Sequence, residues 1–268
     1  MGEGCCILVT DEDIYFMDSN RVFAGVDLST SRRGLTVALL SPRLDVLSVK
    51  RQSLEDAVAE LSVLPGIAVA LGGPLHRCAA NSVPDPPAED PQPKSARRIR
   101  AADADLSRRG IPVRRAPILE SDAPAWMRCG FNLARRLAES GFAEGKDACA
   151  EARFLLEVHP AASASVLLGR LPYGRGTLEG RIQRQLALLR ERVALPDPMD
   201  ALEELTAHHI LSGRMELRGI YEAGELDALL AAFTAWRAHA HPDSVAWLGD
   251  DADGWVCLPV RELLERYQ

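Results

Sequence analysis

Short apolar runs that stop at a carboxylate constrain this chain more than any other feature. "FAGVD" ends at Asp27, and "FLLEV" closes on Glu157-Val158. A third run, "IAVAL" (67–71), ends instead in Gly72-Gly73-Pro74. Uninterrupted apolar stretches of this length, without polar alternation, read as strands buried on both faces. An ionised carboxylate at the end of such a strand is costly unless a partner neutralises it. Open α/β sheets gather their ligands at the carboxyl ends of strands. The expectation is an α/β protein with an acidic site along one sheet edge.

The remaining pattern fits that class. "RVFAGVDL" (21–28), "GLTVALL" (34–40) and "LDVLSVK" (44–50) follow one another across short links, as in an antiparallel meander. "SLEDAVAELSVL" (53–64) reads as a helix with Ser53 as N-cap and Leu54, Val58, Leu61 and Leu64 on one face. Entered through that crossover, "IAVAL" should run parallel to an earlier strand. Residues 79–95 hold five prolines and are expected to form an irregular loop over a site. A basic helix is expected over 96–109, a further helix over 123–141 and a strand over 153–160. Helical spacing marks Thr177–Arg192, Met199–Leu211 and Gly224–Ala240. "SVAWLG" and "GWVCLP" read as a closing hairpin, and "VRELLERY" as a terminal helix. Trp236, Trp247 and Trp255 are expected in the core. Residues 1–20 stand apart as an appendage in which "CCILVT" and "IYFM" flank a turn-like "DED", a hairpin pattern. Residues 21–268 read as one domain.

Composition narrows the setting. No apolar run approaches the roughly 20 residues of a membrane helix, so no membrane partner is expected. No charged-then-apolar leader opens the chain, and "MGEGCC" lacks the hydroxyl residue of an acylation site. The six cysteines are scattered without a CxxC pair, which suits reduced thiols and a cytoplasmic location. The net charge is −7, yet Lys94 to Arg115 holds eight basic residues against Asp103 and Asp105. That segment reads either as a solvated helix face or as a surface tracking nucleic-acid phosphates, with Arg97, Arg98, Arg100 and Arg108 as the contacts. The oligomeric state is not legible.

Asp27, Glu157 and Asp227 are the candidate catalytic and metal-ligating residues. Asp227 sits at the edge of a helical apolar stripe beside small residues, Ala231 and Thr234. Taken singly, Asp27 reads as a turn cap, Glu157 as an arginine partner and Asp227 as a first-turn acid favoured by the helix dipole. Taken together, they read as oxygen ligands of a shared Mg²⁺ or Mn²⁺. His159 is a nearby acid or base. Adjacent His208 and His209 point in different directions on a helix and do not suit a shared metal.

"VFAGVDLSTSRRGLTVALL", "IAVALGGPL", "LLEVHPAAS", "LPYGRGTLEGRIQRQLALL" and "ELDALLAAFTAWRA", closed by "GWVCLP", resemble in order and spacing the DUF429 family over about residues 21–260. These are predicted nucleases with an RNase H-like fold. The resemblance implies a mixed five-stranded sheet flanked by helices, here with helical elaboration, and an acidic site for metal-assisted phosphodiester hydrolysis. The first-strand Asp matches Asp27, the Glu of "E-x-x-P" matches Glu157 with Pro160 in place, and the late-helix Asp matches Asp227. The fourth-strand motif "D-A-P-L" falls on Gly72-Gly73-Pro74-Leu75, so one acid is missing. Two-metal hydrolysis holds ions about 4 Å apart and needs several carboxylates. His76, Cys78, Asp85, Glu89 or Asp90 would have to substitute. The expectation is a metal-dependent nuclease or phosphodiesterase impaired at Gly72. The alternative is a non-catalytic nucleic-acid- or protein-binding protein on the same scaffold. "GVDLSTSRRG" also looks like the first phosphate loop of actin-like sugar kinases, but the second domain and the adenosine motif of that superfamily are not found.

Overall fold

The computed structural model describes residues 21–28, 34–79, 83–84, 98–203, 206–213 and 217–268. The expected hairpin of residues 1–20 and most of the proline-rich stretch lie outside them. The meander is present as β1 (Val22–Asp27), β2 (Leu35–Leu40) and β3 (Val46–Gln52), antiparallel throughout. Helix α1 (Leu54–Val63) follows, its first turn closed by the Ser53 hydroxyl accepting from the Asp56 N–H at 3.1 Å. β4 (Ile67–Leu71) then returns parallel to β1, as a crossover helix requires. β5 (Val83–Pro84) and β6 (Arg98–Ile99) form a separate antiparallel pair. After them come α2 (Ala101–Arg108), α3 (Ala125–Glu139), β7 (Ala143–Glu144) and β8 (Arg153–Val158). β8 is parallel to β4. The chain continues through α4 (Pro160–Leu168), α5 (Leu178–Arg190), α6 (Pro198–Glu203), α7 (Ala207–Leu211) and α8 (Ala223–Ala240). It closes with the antiparallel hairpin of β9 (Ala246–Asp250) and β10 (Gly254–Leu258).

Among the described residues the main sheet has eight strands in the order β3-β2-β1-β4-β8-β10-β9, with β7 also on β8. That is three more than the expected five. The additions are β7 and the closing hairpin, whose β10 pairs in parallel with β8. Alternation along the buried strands splits the core into two layers. Phe23, Ala38, Ala70 and Phe154 pack against Leu226, Leu229, Leu230 and Phe233 of α8. Ala24, Val37, Val69 and Leu155 face the other way, against Ala57 and Leu61 of α1 and Leu133 and Leu137 of α3. A mixed sheet flanked by helices results. No helix among the described residues is long and apolar enough to cross a membrane.

Three helical expectations change. Residues 260–267 do not form a helix. Their backbone bonds to distant groups instead: the Tyr267 N–H donates to the Arg109 carbonyl at 2.8 Å, and the Gln268 carbonyl accepts from the Leu171 N–H. The single helix over 199–211 is two, α6 and α7, because Thr206 starts the second by accepting from the His209 N–H at 3.3 Å. The basic helix begins only at Ala101, since Arg98 and Ile99 pair as a strand with β5. Trp236 is in the core, whereas Trp247 and Trp255 are half-buried on the hairpin.

Candidate functional site

β1, β4 and β8 are mutually parallel, so their carboxyl ends share one edge. Leu71 pairs with Val26 on one side and with Glu157 on the other. Gly72 therefore sits beside Asp27, where an acid was expected. A Cβ on Gly72 would lie 3.0 Å from the Val26 carbonyl oxygen and 3.1 Å from Pro160 Cγ. The glycine lets β1 and the head of α4 close over the end of β4.

Helix α8 brings the third acid. A Cβ on Gly224 would lie 2.8 Å from Asp27 Oδ2, so the first turn of α8 rides directly over the end of β1. Asp227, one turn further on, faces the same edge and is buried. Asp27, Glu157 and Asp227 line one cleft of about 480 Å³ together with Gly72, Asp103, Trp126, His159, Arg114 and Arg175. The three acids thus come to one cleft, but each is already held by an arginine.

Arg175 bridges two of them, its Nη2 3.0 Å from Asp27 Oδ2 and its Nε donating to Asp227 Oδ2. Arg184 approaches Asp227 Oδ1 at 3.9 Å and anchors itself on the Gly180 and Tyr173 carbonyls. Glu157 is clasped in fork geometry by Arg100, with Nη1 to Oε2 at 2.9 Å and Nη2 to Oε1, while the Leu75 N–H donates to Oε2 at 3.0 Å. Arg100 is 0 % exposed and also faces Asp103 at 3.6 Å. Four carboxylates are therefore set against Arg100, Arg175 and Arg184.

Burial dominates the titration of this cleft. It pushes Asp227 up to about 6, with Arg175 opposing and the Asp27 charge adding to the rise. It pushes Asp103 up to about 6 against the pull of Arg100. It lowers His159 to about 4, so this ring is neutral at pH 7, and its Nδ1 accepts from the Ala162 N–H at 3.1 Å to cap α4.

Among the described residues no group of three or more His, Cys, Asp and Glu side chains forms a metal-binding set. As they stand, Asp27, Glu157 and Asp227 do not fit a Mg²⁺ or Mn²⁺ cage, because guanidinium groups hold their oxygens. Of the expected substitutes, His76 is paired with Glu144 at 2.7 Å, and Cys78 is buried in contact with neighbouring backbone. Asp85, Glu89 and Asp90 lie outside the described residues.

The basic segment divides. Arg100, expected on an open surface, is the most deeply buried of the group. Arg108 is exposed and paired with Asp105. Arg97 and the Arg98 side chain lie outside the described residues. Arg114 is exposed at the cleft. Sequence reasoning passed over Arg175 and Arg184. Arg175 lies in "LPYGRGTLEG", a stretch whose glycines and proline interrupt helical spacing between α4 and α5.

The family model described as "Protein of unknown function (DUF429)" matches residues 25–253. The chain belongs to the DUF429 family. Neither the search of curated proteins nor that of solved structures gave a match. The match covers Asp27, Gly72, Glu157, Arg175 and Asp227, so the charged centre of the cleft in this DUF429 protein falls within the family region.

Proposed function

We propose that this DUF429 protein is a non-catalytic nucleic-acid-binding protein on an RNase H-like scaffold, holding a phosphate backbone at its cleft without metal-dependent hydrolysis. Charge compensation carries this reading: every acid of the expected centre has an arginine partner, and the fourth strand ends in Gly72. Arg114 presents a guanidinium at the cleft beside the 38 % exposed Arg175 side chain, and guanidinium groups match phosphate oxygens. A cleft of about 480 Å³ takes a nucleotide-sized group. The free thiols of Cys129, Cys149 and Cys257 suit a cytoplasmic setting.

Fluorescence anisotropy with labelled single-stranded DNA, duplex DNA and RNA tests it. Binding is expected to be equal in EDTA and in Mg²⁺ and to weaken as salt rises. Arg114→Ala is expected to reduce the salt slope by about one. No binding to any of the three oligonucleotides would reject the reading.

A metal-dependent nuclease is the second reading, favoured by the convergence of Asp27 and Asp227 on a single guanidinium. It requires Arg175 to leave. Arg175→Met should expose two facing carboxylates, so Mn²⁺ should raise the melting temperature of the variant and not of the parent. Saturation 100-fold above Kd corresponds to about 2.7 kcal/mol. Metal-stimulated cleavage by the parent protein would put this reading first.

A further inference from the structure

A second cavity lies across Glu157 from the first. It has about 300 Å³ and is walled by the closing hairpin on one side and by Glu144-Gly145 on the other. Trp247 and Trp255 both line it. Trp255 pairs with Gly249, two residues from Trp247, so the two indoles project from the same face of the hairpin. Both are half-buried.

The polar groups around these rings are mainly acceptors. Asp251 Oδ1 accepts from Trp255 Nε1 at 3.0 Å and remains on the rim. Glu144 lines the cavity with its Oε2 2.7 Å from His76 Nε2. Glu157 is satisfied by Arg100, and Asp253 accepts from the Ala79 N–H. One of these rings already holds a cation, from a residue beside the cavity lining. The Lys146 ammonium sits 4.2 Å from the centroid of the Trp255 ring, where the negative ring face attracts a cation. Lys146 is exposed and opens the short 3-10 helix after β7.

We propose that this cavity is a binding site for an organic cation, a guanidinium or alkylammonium group that displaces Lys146 from Trp255. The indole faces supply the cation–π contact, and Glu144 and Asp251 receive the N–H donors. Two tryptophans flanked by carboxylates disfavour a phosphate, so this site is separate from the cleft that takes nucleic acid. The volume suits a side-chain-sized group, either a free polyamine or alkylguanidine or the arginine or lysine side chain of a protein partner.

Quenching of tryptophan fluorescence by agmatine, tetramethylammonium and an N-acetylated arginine-amide peptide tests the site. Saturable binding of agmatine is expected. Trp255→Leu should weaken it about tenfold and Trp255→Phe by no more than about threefold, because the ring face remains. Lys146→Ala should tighten it severalfold by removing the internal competitor. Tighter binding of the peptide than of agmatine assigns the site to a protein partner, and the reverse order assigns it to a free cation. No saturable signal with any probe would overturn the proposal, as would unchanged affinity in a folded Trp255→Leu protein. Should Trp255→Leu fail to fold, unchanged or weaker binding by Lys146→Ala overturns it equally.

Discussion

Arg100→Met is expected to cost this protein about 3–5 kcal/mol at pH 7, the range for removing one partner of a buried ion pair. For a chain of this size that is roughly a 10 °C fall in melting temperature. The reason is the position of Glu157, which is 4 % exposed and receives both terminal nitrogens of Arg100. Without them the Leu75 N–H remains as a donor to its carboxylate. Asp103 loses its nearest cation as well. The deficit should be pH-dependent. A buried carboxylate stripped of its cation is relieved of the cost of its charge by protonation. Such a carboxylate destabilises the fold where it is ionised and ceases to do so where the unfolded chain is protonated too. The gap between parent and variant should therefore narrow as pH falls towards about 4. Arg100→Met combined with Glu157→Leu should recover most of the loss, since an apolar pair of similar volume replaces a buried ion pair at little cost. Urea unfolding of the three proteins at two pH values measures this. A loss below about 1 kcal/mol would return Arg100 to the class of surface cations that the sequence suggested.

That outcome bears on what a sequence reveals. β1, β4 and β8 were legible because strands buried on both faces must be continuously apolar, as "FAGVD" and "IAVAL" are. The meander and the final hairpin were legible because short links leave adjacent antiparallel pairing as the simple solution. β7 was not, since two residues carry no periodicity. The tail 260–267 has the apolar spacing of a helix, yet Tyr267 uses its backbone N–H on the Arg109 carbonyl and its ring beside Leu106 and Ile111. Tertiary partners outweigh local preference there.

The site shows the same division. That Asp27, Glu157 and Asp227 would reach one cleft followed from strand ends and helix phase. Which arginine holds which acid did not. Arg175 meets Asp27 across 148 residues and Arg100 meets Glu157 across 57, and no local signal selects these cations from the others. Net charge was equally uninformative: a chain at −7 still encloses its central acids in guanidinium groups.

Gly25→Ala is expected to be the most damaging addition of a single methyl group. A Cβ at this position would stand 2.0 Å from the Ala228 carbonyl oxygen, 2.3 Å from the Ala232 nitrogen and 2.9 Å from Ala231 Cβ. The first two are backbone atoms of α8, so no rotamer change relieves the contact. The whole helix must lift from β1, against the apolar surface that Leu226, Leu229, Leu230 and Phe233 bury on the sheet. Overpacking ordinarily costs about 1–3 kcal/mol, and a clash with backbone belongs at or beyond the top of that range. Gly72→Ala provides the contrast, because its Cβ would meet its neighbours at 3.0 and 3.1 Å and a shift of a few tenths of an ångström suffices. Its cost should stay near 1 kcal/mol, the low end of overpacking. The two variants also separate fold from site. Asp227 immediately precedes Ala228, so the contact at Gly25 sets how closely α8 brings Asp227 to Asp27. Gly25→Ala should therefore weaken oligonucleotide binding at temperatures where the protein remains folded, while Gly72→Ala leaves it within about twofold. Unfolding of Gly25→Ala within about 1 kcal/mol of the parent would mean that α8 does not rest on β1 at this point. The approach of the two aspartates to Arg175 would then need another cause.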